Sequence, residues 1–245
     1  MFENMISTHR SLKVYLLLVS ACFLFLALNI VYVESSPPIN KNILPYAVAE
    51  ASKNLTLSTL ISQGSPYQGN LNASIVIIDF SDFQCYLCKR YVDNTEQQIN
   101  STYIQPGKAV YVFKHLPNRG FDSKNASIAA QCTNDQGKFW EFHQTLYSNQ
   151  GPIDSGWVST ENLKKFASQL PSINITQFNS CFDTKKHESF VDKDIALANS
   201  LGFTETPSFI IMNSDGSLVE KIQGPKPFPI FKSVIDNLEI KMSNK

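Results

Sequence analysis

Cys85-Tyr86-Leu87-Cys88 is where this chain concentrates reactive side chains. Two thiols at that spacing on a helix lie one turn apart, within reach of closing a disulfide and opening it again. Residues 74–80 (SIVIIDF) run straight into the motif and read as a buried strand, so Cys85 falls at a helix start. A helix N-terminus carries about half a positive charge and unpaired N–H groups, both of which favour a thiolate at the first cysteine. Thiolates attack and leave in disulfide exchange, and the placement therefore points to redox chemistry. A zinc site would want a second close pair of Cys or His ligands. Cys132 and Cys181 stand far apart in the sequence, and none of His115, His143 and His187 offers paired spacing, so no metal is expected.

The elements that must position this motif follow from hydropathy and breakers. The helix starting at Cys85 carries Tyr91 and Val92 toward Asn100. Residues 108–116 (KAVYVFKHL) read as a second strand, ended by Pro117. From 123 to 201 the signals are helical. Ala126, Ala129, Ala130 and Thr133 share a face, and Phe139, Trp140, His143, Leu146 and Tyr147 form a buried stripe. His143 on that stripe reads as a packed residue rather than a catalyst. Thr160 and Thr176 are the expected caps of two further helices, and Gly202 is a natural stop for the last. Residues 207–212 and 217–222 read as strands joined by the hairpin signal Asn213-Ser-Asp-Gly216, and a final helix covers 228–242. The predicted order is β, α, β, a helical block, β, β, α.

Composition bounds the function. Of 245 residues, 43% are apolar and 17% charged, enough for a sizeable core and unlike a disordered chain. The 21 basic residues balance 21 acidic ones with no basic block, which argues against nucleic acid as a partner. Residues 14–33 (VYLLLVSACFLFLALNIVYV) are long enough as a helix to span ~30 Å, one hydrocarbon core. Arg10 and Lys13 precede this stretch and Glu34 follows it, which places the first 13 residues in the cytoplasm and everything beyond residue 34 outside. The favoured reading is an uncleaved signal anchor and single-pass transmembrane helix. A cleaved signal peptide and lipidation at Cys22 are the alternatives, and all three imply export. Residues 34–54, rich in Pro, Ser and Asn, read as a linker. Sequons starting at Asn54, Asn72, Asn100, Asn125 and Asn174 permit surface glycosylation without arguing for it.

Three stretches carry a family resemblance: Asp79-Phe-Ser-Asp-Phe-Gln-Cys85-Tyr-Leu-Cys88-Lys-Arg-Tyr, Gly137-Lys-Phe-Trp-Glu-Phe-His143 and Thr206-Pro207-Ser-Phe. They resemble the DsbA-like thiol:disulfide oxidoreductases of the thioredoxin superfamily. The resemblance implies an α/β thioredoxin-like fold split by an inserted helical domain, with parts at 55–122 and 202–245 and the insertion at 123–201. It implies that Cys85 is the exposed nucleophile, Cys88 its resolving partner, and Pro207 a cis-proline facing them. Thr206 would offer backbone groups to an extended substrate, with Tyr86 and Leu87 also at the substrate surface. Asp79 would be a buried acid relaying a proton to and from Cys88, with Lys114 a candidate ion partner; a partly solvated strand-end carboxylate is the plainer alternative. The family usually has proline after the first cysteine. Tyr86-Leu87 lacks that constraint, which leaves the strength of oxidation open.

Export removes the reducing pool, Cys132 and Cys181 each lie on an apolar helical face, and some relatives carry an additional pair in the insertion. A second, structural disulfide is therefore expected; two buried free thiols are the alternative. The functional expectation is a membrane-anchored, monomeric, extracytoplasmic oxidoreductase. It would donate the Cys85–Cys88 disulfide to reduced exported proteins and be recharged by a membrane reoxidant of the DsbB or VKOR-like type, with no cofactor. A reductase or isomerase of the same fold, or a polypeptide-binding holdase, are the competing readings.

Overall fold

The computed structural model of the chain describes residues 55–244, so the expected transmembrane helix at 14–33, Cys22 and the linker at 34–54 lie outside the described residues. Among the described residues no helix is long and apolar enough to cross a membrane.

Five strands form one sheet in the order β1-β3-β2-β4-β5: β1 (Tyr67–Gly69), β2 (Ile75–Ser81), β3 (Ala109–His115), β4 (Ser208–Asn213) and β5 (Val219–Gln223). The central pair β2 and β3 is parallel, and the other pairings are antiparallel. β2, β3 and β4 are buried on both faces, which is why they read as continuous apolar runs rather than alternating ones.

The helices are α1 (Leu57–Ser62), α2 (residues 86–104), α3 (Ser123–Asn134), α4 (Phe139–Ser148), α5 (Thr160–Ser168), α6 (Ile175–Asp183), α7 (Glu188–Ser200) and α8 (Phe228–Ser243). α2 starts as an α-helix over Tyr86–Tyr91 and passes through two π-helical stretches, Val92–Glu96 and Asn100–Ile104. One face of the sheet, carrying Ile77, Phe113 and Phe209, packs against α2, α8 and the helical block. The other, carrying Val76, Phe80 and Val112, packs against α1 and the end of α7. α7 belongs to both layers: Val191 near its start lies in the first core and Ala198 near its end in the second.

The order of elements matches the sequence expectation from β2 onward, with α1 and β1 added in front. Two caps differ. Ser159, not Thr160, accepts the Asn162 N–H, and Asn174, not Thr176, accepts the Gln177 N–H. Both are the last extended residue before the helix, where a side-chain oxygen reaches the free amides of the first turn. Gly202 ends α7 at φ +78°, with the Phe203 N–H returning to the Ala198 carbonyl. In the β4–β5 hairpin Asn213 accepts the Leu218 N–H at 2.8 Å and donates to Ser217 at 2.9 Å.

Candidate active site

Asp82 builds the turn that delivers Cys85. Its carboxylate accepts the N–H groups of Gln84, Asn118 and Arg119, each at 2.8 Å, and its carbonyl accepts the Cys85 N–H at 3.0 Å. The strand-to-helix turn is thereby tied to the loop after β3. A second tie runs to the helical block. The Gln84 amide donates to Asp154 and Ser123 at 3.1 Å and accepts the Asp154 N–H at 2.9 Å. Gln150 donates to the Phe83 carbonyl at 2.7 Å and the Cys85 carbonyl at 3.1 Å. The third segment is the loop before β4, where Thr206-Pro207 is a cis peptide. Thr206 donates to the Asn118 side chain at 3.3 Å, and Asn118 donates to the Thr204 carbonyl at 2.9 Å.

Cys85 and Cys88 are both free thiols. Cys85 is the N-cap of α2, extended at φ −79° and ψ 114°, and its Sγ donates to the Thr206 carbonyl at 3.3 Å. A hydrogen bond from the Cys88 thiol, a further one from Thr206 and the amides of Cys88 and Leu87 together pull the Cys85 thiol down from 9.0 to about 5, against the opposing effect of burial. Burial pushes the Cys88 thiol well above its ordinary value, and the Cys85 and Asp79 charges push it further. One thiol of the pair thus ionises readily and the other stays protonated.

The structure brings Cys85, Cys88, Thr206 and Pro207 together. Tyr86 projects outward with 69% of its surface exposed, while Leu87 packs half-buried against the core. Cys85 differs from the exposed nucleophile expected: only 2% of the residue meets solvent, because its sulfur lies against the Thr206 carbonyl.

Asp79 is fully buried, not partly solvated. Ser81 and Tyr111 donate to its two oxygens at 2.6 and 2.9 Å, and Tyr111 also bonds Tyr91 at 3.2 Å. Loss of solvation outweighs these bonds and raises the carboxyl from 3.8 to about 7. Lys114 is not its partner. In the sheet register Asp79 stands opposite Phe113, and Lys114, one residue on, points to the other face. There Lys114 meets Asp194 of α7 at 2.8 Å, and Asp194 also accepts the His115 N–H at 3.0 Å. His143 is packed among Phe83, Phe113, Trp140 and Tyr147, and burial lowers it to about 3, so it is neutral.

Glu96 was missed in the sequence. It closes the first π-helical stretch of α2, and burial followed by the Asp79 charge raises it to about 8. Its Oε2 lies 3.9 Å from His143 Nε2, and neither atom has a hydrogen-bond partner. Its spacing from Cys88 and Val92, two turns along one helix face, was the available signal.

Comparison with known proteins agrees with this geometry. The family model Thioredoxin_4, described as thioredoxin, matches residues 62–237. The chain is 24% identical over 151 residues to disulfide bond formation protein D of Bacillus subtilis (strain 168), covering 61% of this chain and 68% of that one. Among solved structures, Wolbachia pipientis alpha-DsbA1 superposes with a TM-score of 0.63 at 29% identity, over 72% of this chain and 92% of that one. Oxidised BdbD from Bacillus subtilis shares the fold with a TM-score of 0.63 at 24% identity, over 71% of this chain and 92% of that one. With a family match across most of its length and a reactive Cys-x-x-Cys at a helix start, the chain belongs to the thioredoxin family as a DsbA-like protein disulfide oxidoreductase.

Proposed function

We propose that this oxidoreductase works outside the cytoplasm, anchored by residues 14–33, and donates a Cys85–Cys88 disulfide to exported proteins. The observation that carries this direction is the placement of the pair, Cys85 as N-cap of α2 beside the free amides of its first turn and Cys88 buried one turn on, which favours a thiolate at the first and a thiol at the second. A thiolate stabilised in the reduced enzyme makes reduction of its disulfide favourable, and hence makes the enzyme an oxidant of others.

The exchange proceeds in two balanced steps. A substrate thiolate attacks Sγ of Cys85, the Cys85–Cys88 bond breaks, and Cys88 leaves and takes up a proton. Asp79, protonated below about pH 7 and near enough for its charge to act on Cys88, is the proposed proton source. A second substrate thiolate then attacks the substrate sulfur of the mixed disulfide. The Cys85 thiolate departs, leaving the substrate oxidised by two electrons and the enzyme reduced. Thr206, Tyr86 and Leu87 are the proposed contacts of the extended substrate, and a membrane reoxidant of the DsbB or VKOR-like type returns the enzyme to its disulfide.

The redox potential of the Cys85–Cys88 pair, equilibrated against glutathione, tests this. A value well above thioredoxin's roughly −270 mV supports a donor, and a value at or below it assigns a reductase instead. In parallel, Cys85→Ser is expected to abolish oxidation of a reduced unfolded protein, and Cys88→Ser to trap mixed disulfides through Cys85.

A further inference from the structure

Away from the active site, a disulfide joins Cys132 near the end of α3 to Cys181 near the end of α6, with Cα atoms 5.8 Å apart. The turn leaving α6 swings His187, the residue that precedes α7, against this bond. One ligand atom from each of Cys132, Cys181 and His187 lies within 4.8 Å of the others. Asp135, which follows α3, adds an oxygen: its Oδ2 is 2.9 Å from His187 Nε2 and 3.9 Å from Cys181 Sγ. Two sulfurs and an imidazole from three elements thus meet, with a carboxylate beside the imidazole and one of the sulfurs. In sequence they are scattered, which is why spacing alone did not group them.

While the sulfurs are bonded to each other they are poor ligands, because a metal wants thiolates. A dithiol reductant changes that. It delivers two electrons and two protons, breaks the Cys132–Cys181 bond to give two thiols, and departs as its own cyclic disulfide. From this geometry we propose that the reduced Cys132–Cys181 pair, with His187 and Asp135, is a binding site for Zn2+. Binding expels the two thiol protons. The site then holds two thiolates, one neutral imidazole and one carboxylate around the ion.

The donor set fits zinc and not a hard cation. Two sulfurs and a nitrogen suit a borderline ion, whereas Ca2+ and Mg2+ want oxygen. Tetrahedral zinc with Zn–S of about 2.3 Å and Zn–N of about 2.0 Å puts sulfurs ~3.8 Å apart and sulfur and nitrogen ~3.5 Å apart. The Cα atoms of Cys132 and Cys181 lie 5.8 Å apart, and opening the sulfurs from bonded contact to ~3.8 Å is the adjustment that the site requires. Lys186, 2.7 Å from Asp135 Oδ2, offsets the net negative charge of the loaded site. The ends of α3 and α6 would stay cross-linked in either redox state, by a covalent bond when oxidised and by the ion when reduced.

The test uses the full chain carrying Cys22→Ser, Cys85→Ser and Cys88→Ser, so that only Cys132 and Cys181 remain. It is reduced with a dithiol, freed of reductant without oxygen, and titrated with Co2+ as the optical probe. Expected are one Co2+ per chain with the visible absorption of tetrahedral cobalt–thiolate, its stoichiometric displacement by Zn2+, and no such signal from the oxidised protein. His187→Ala should weaken binding by well over about tenfold, since even outer-shell partners of a metal cost about 10- to 100-fold. Zn2+ should also raise the melting temperature of the reduced chain and leave that of the oxidised chain unchanged, a readout that does not depend on any substitution at the site. Absence of tetrahedral cobalt in the reduced chain, equal binding after His187→Ala, or no Zn2+-dependent rise in melting temperature overturns the proposal.

Discussion

The ionisation of Cys85 is tested by alkylating the reduced enzyme with iodoacetamide across pH 3.5 to 9.5, in a Cys22→Ser background with Cys132–Cys181 left bonded. Cys85 then reports almost alone, because the Cys88 thiol is shifted upward while that of Cys85 is shifted down. A drop from 9.0 to about 5 raises the thiolate fraction at pH 7 roughly 100-fold. Nucleophilicity falls with basicity, however, with a Brønsted coefficient of about 0.4–0.5, so the same drop slows each thiolate by roughly 40- to 100-fold. The two effects nearly cancel at pH 7, where the rate is uninformative. At pH 5.5 about three-quarters of the Cys85 thiol is ionised, against about one part in 3,000 of a thiol at 9.0. After the nucleophilicity correction, Cys85 should react roughly 25- to 60-fold faster there than an ordinary thiol. The pH midpoint should lie near 5 and move upward in Cys88→Ala, which removes the hydrogen bond that does most to hold the thiolate. Linkage gives the same sign in stability: a depressed acid stabilises the reduced fold above pH 9, and that contribution is lost as pH falls toward about 5. A midpoint at or above about 8, or one unmoved by Cys88→Ala, refutes the assignment.

Asp79→Asn should stabilise the reduced protein at pH 8 by up to about 4 kcal/mol in urea titrations, because a carboxyl raised from 3.8 to about 7 loses stability as pH rises through that window and Asn does not; equal pH slopes would count against it. Lys114→Met should cost about 3–5 kcal/mol by leaving the Asp194 charge buried and unpaired, and recovery of stability by a second change, Asp194→Asn, which removes the charge but keeps an acceptor for the His115 N–H, distinguishes charge from packing. Cys132→Ala with Cys181→Ala should lower stability by up to about 4 kcal/mol, the chain-entropy cost of a 49-residue loop, and a loss below about 1 kcal/mol would show that the helix ends are held by packing alone.

Strands buried on both faces and helices closed by Gly202 or opened at β2 were legible in the sequence because their signals are local: unbroken apolar runs, a stop glycine, a turn sequence. β1 was not, since three edge residues, Tyr67–Gly69, carry too little pattern to separate from a loop. Tertiary register decided the Asp79 and Lys114 question. Neighbouring strand positions point to opposite faces, so a pairing plausible across one register step is impossible in the sheet. The reactive pair was readable from its spacing, but the cover over Cys85 comes from Thr206 on a distant segment, and Glu96 acquires its shift from burial in the tertiary fold and then from an acid on another element.

The placement of β4 beside β2 imposes an order on folding. As the chain emerges from its N-terminal end, β2, α2 and β3 are available early, and the Cys85 turn with them. The strand that completes the middle of the sheet, and the Thr206 carbonyl that covers the nucleophile, arrive only after the five helices α3 to α7. Sheet closure is therefore a high-contact-order event and a late one. Throughout that interval Cys85 stands uncovered while Cys132 and then Cys181 come within diffusional reach. The Cys132–Cys181 bond must outcompete crossed pairings with Cys85 and Cys88, and the locality of the Cys-x-x-Cys, whose closing loop is the shortest between any two cysteines of the sequence, favours pairing within the motif kinetically.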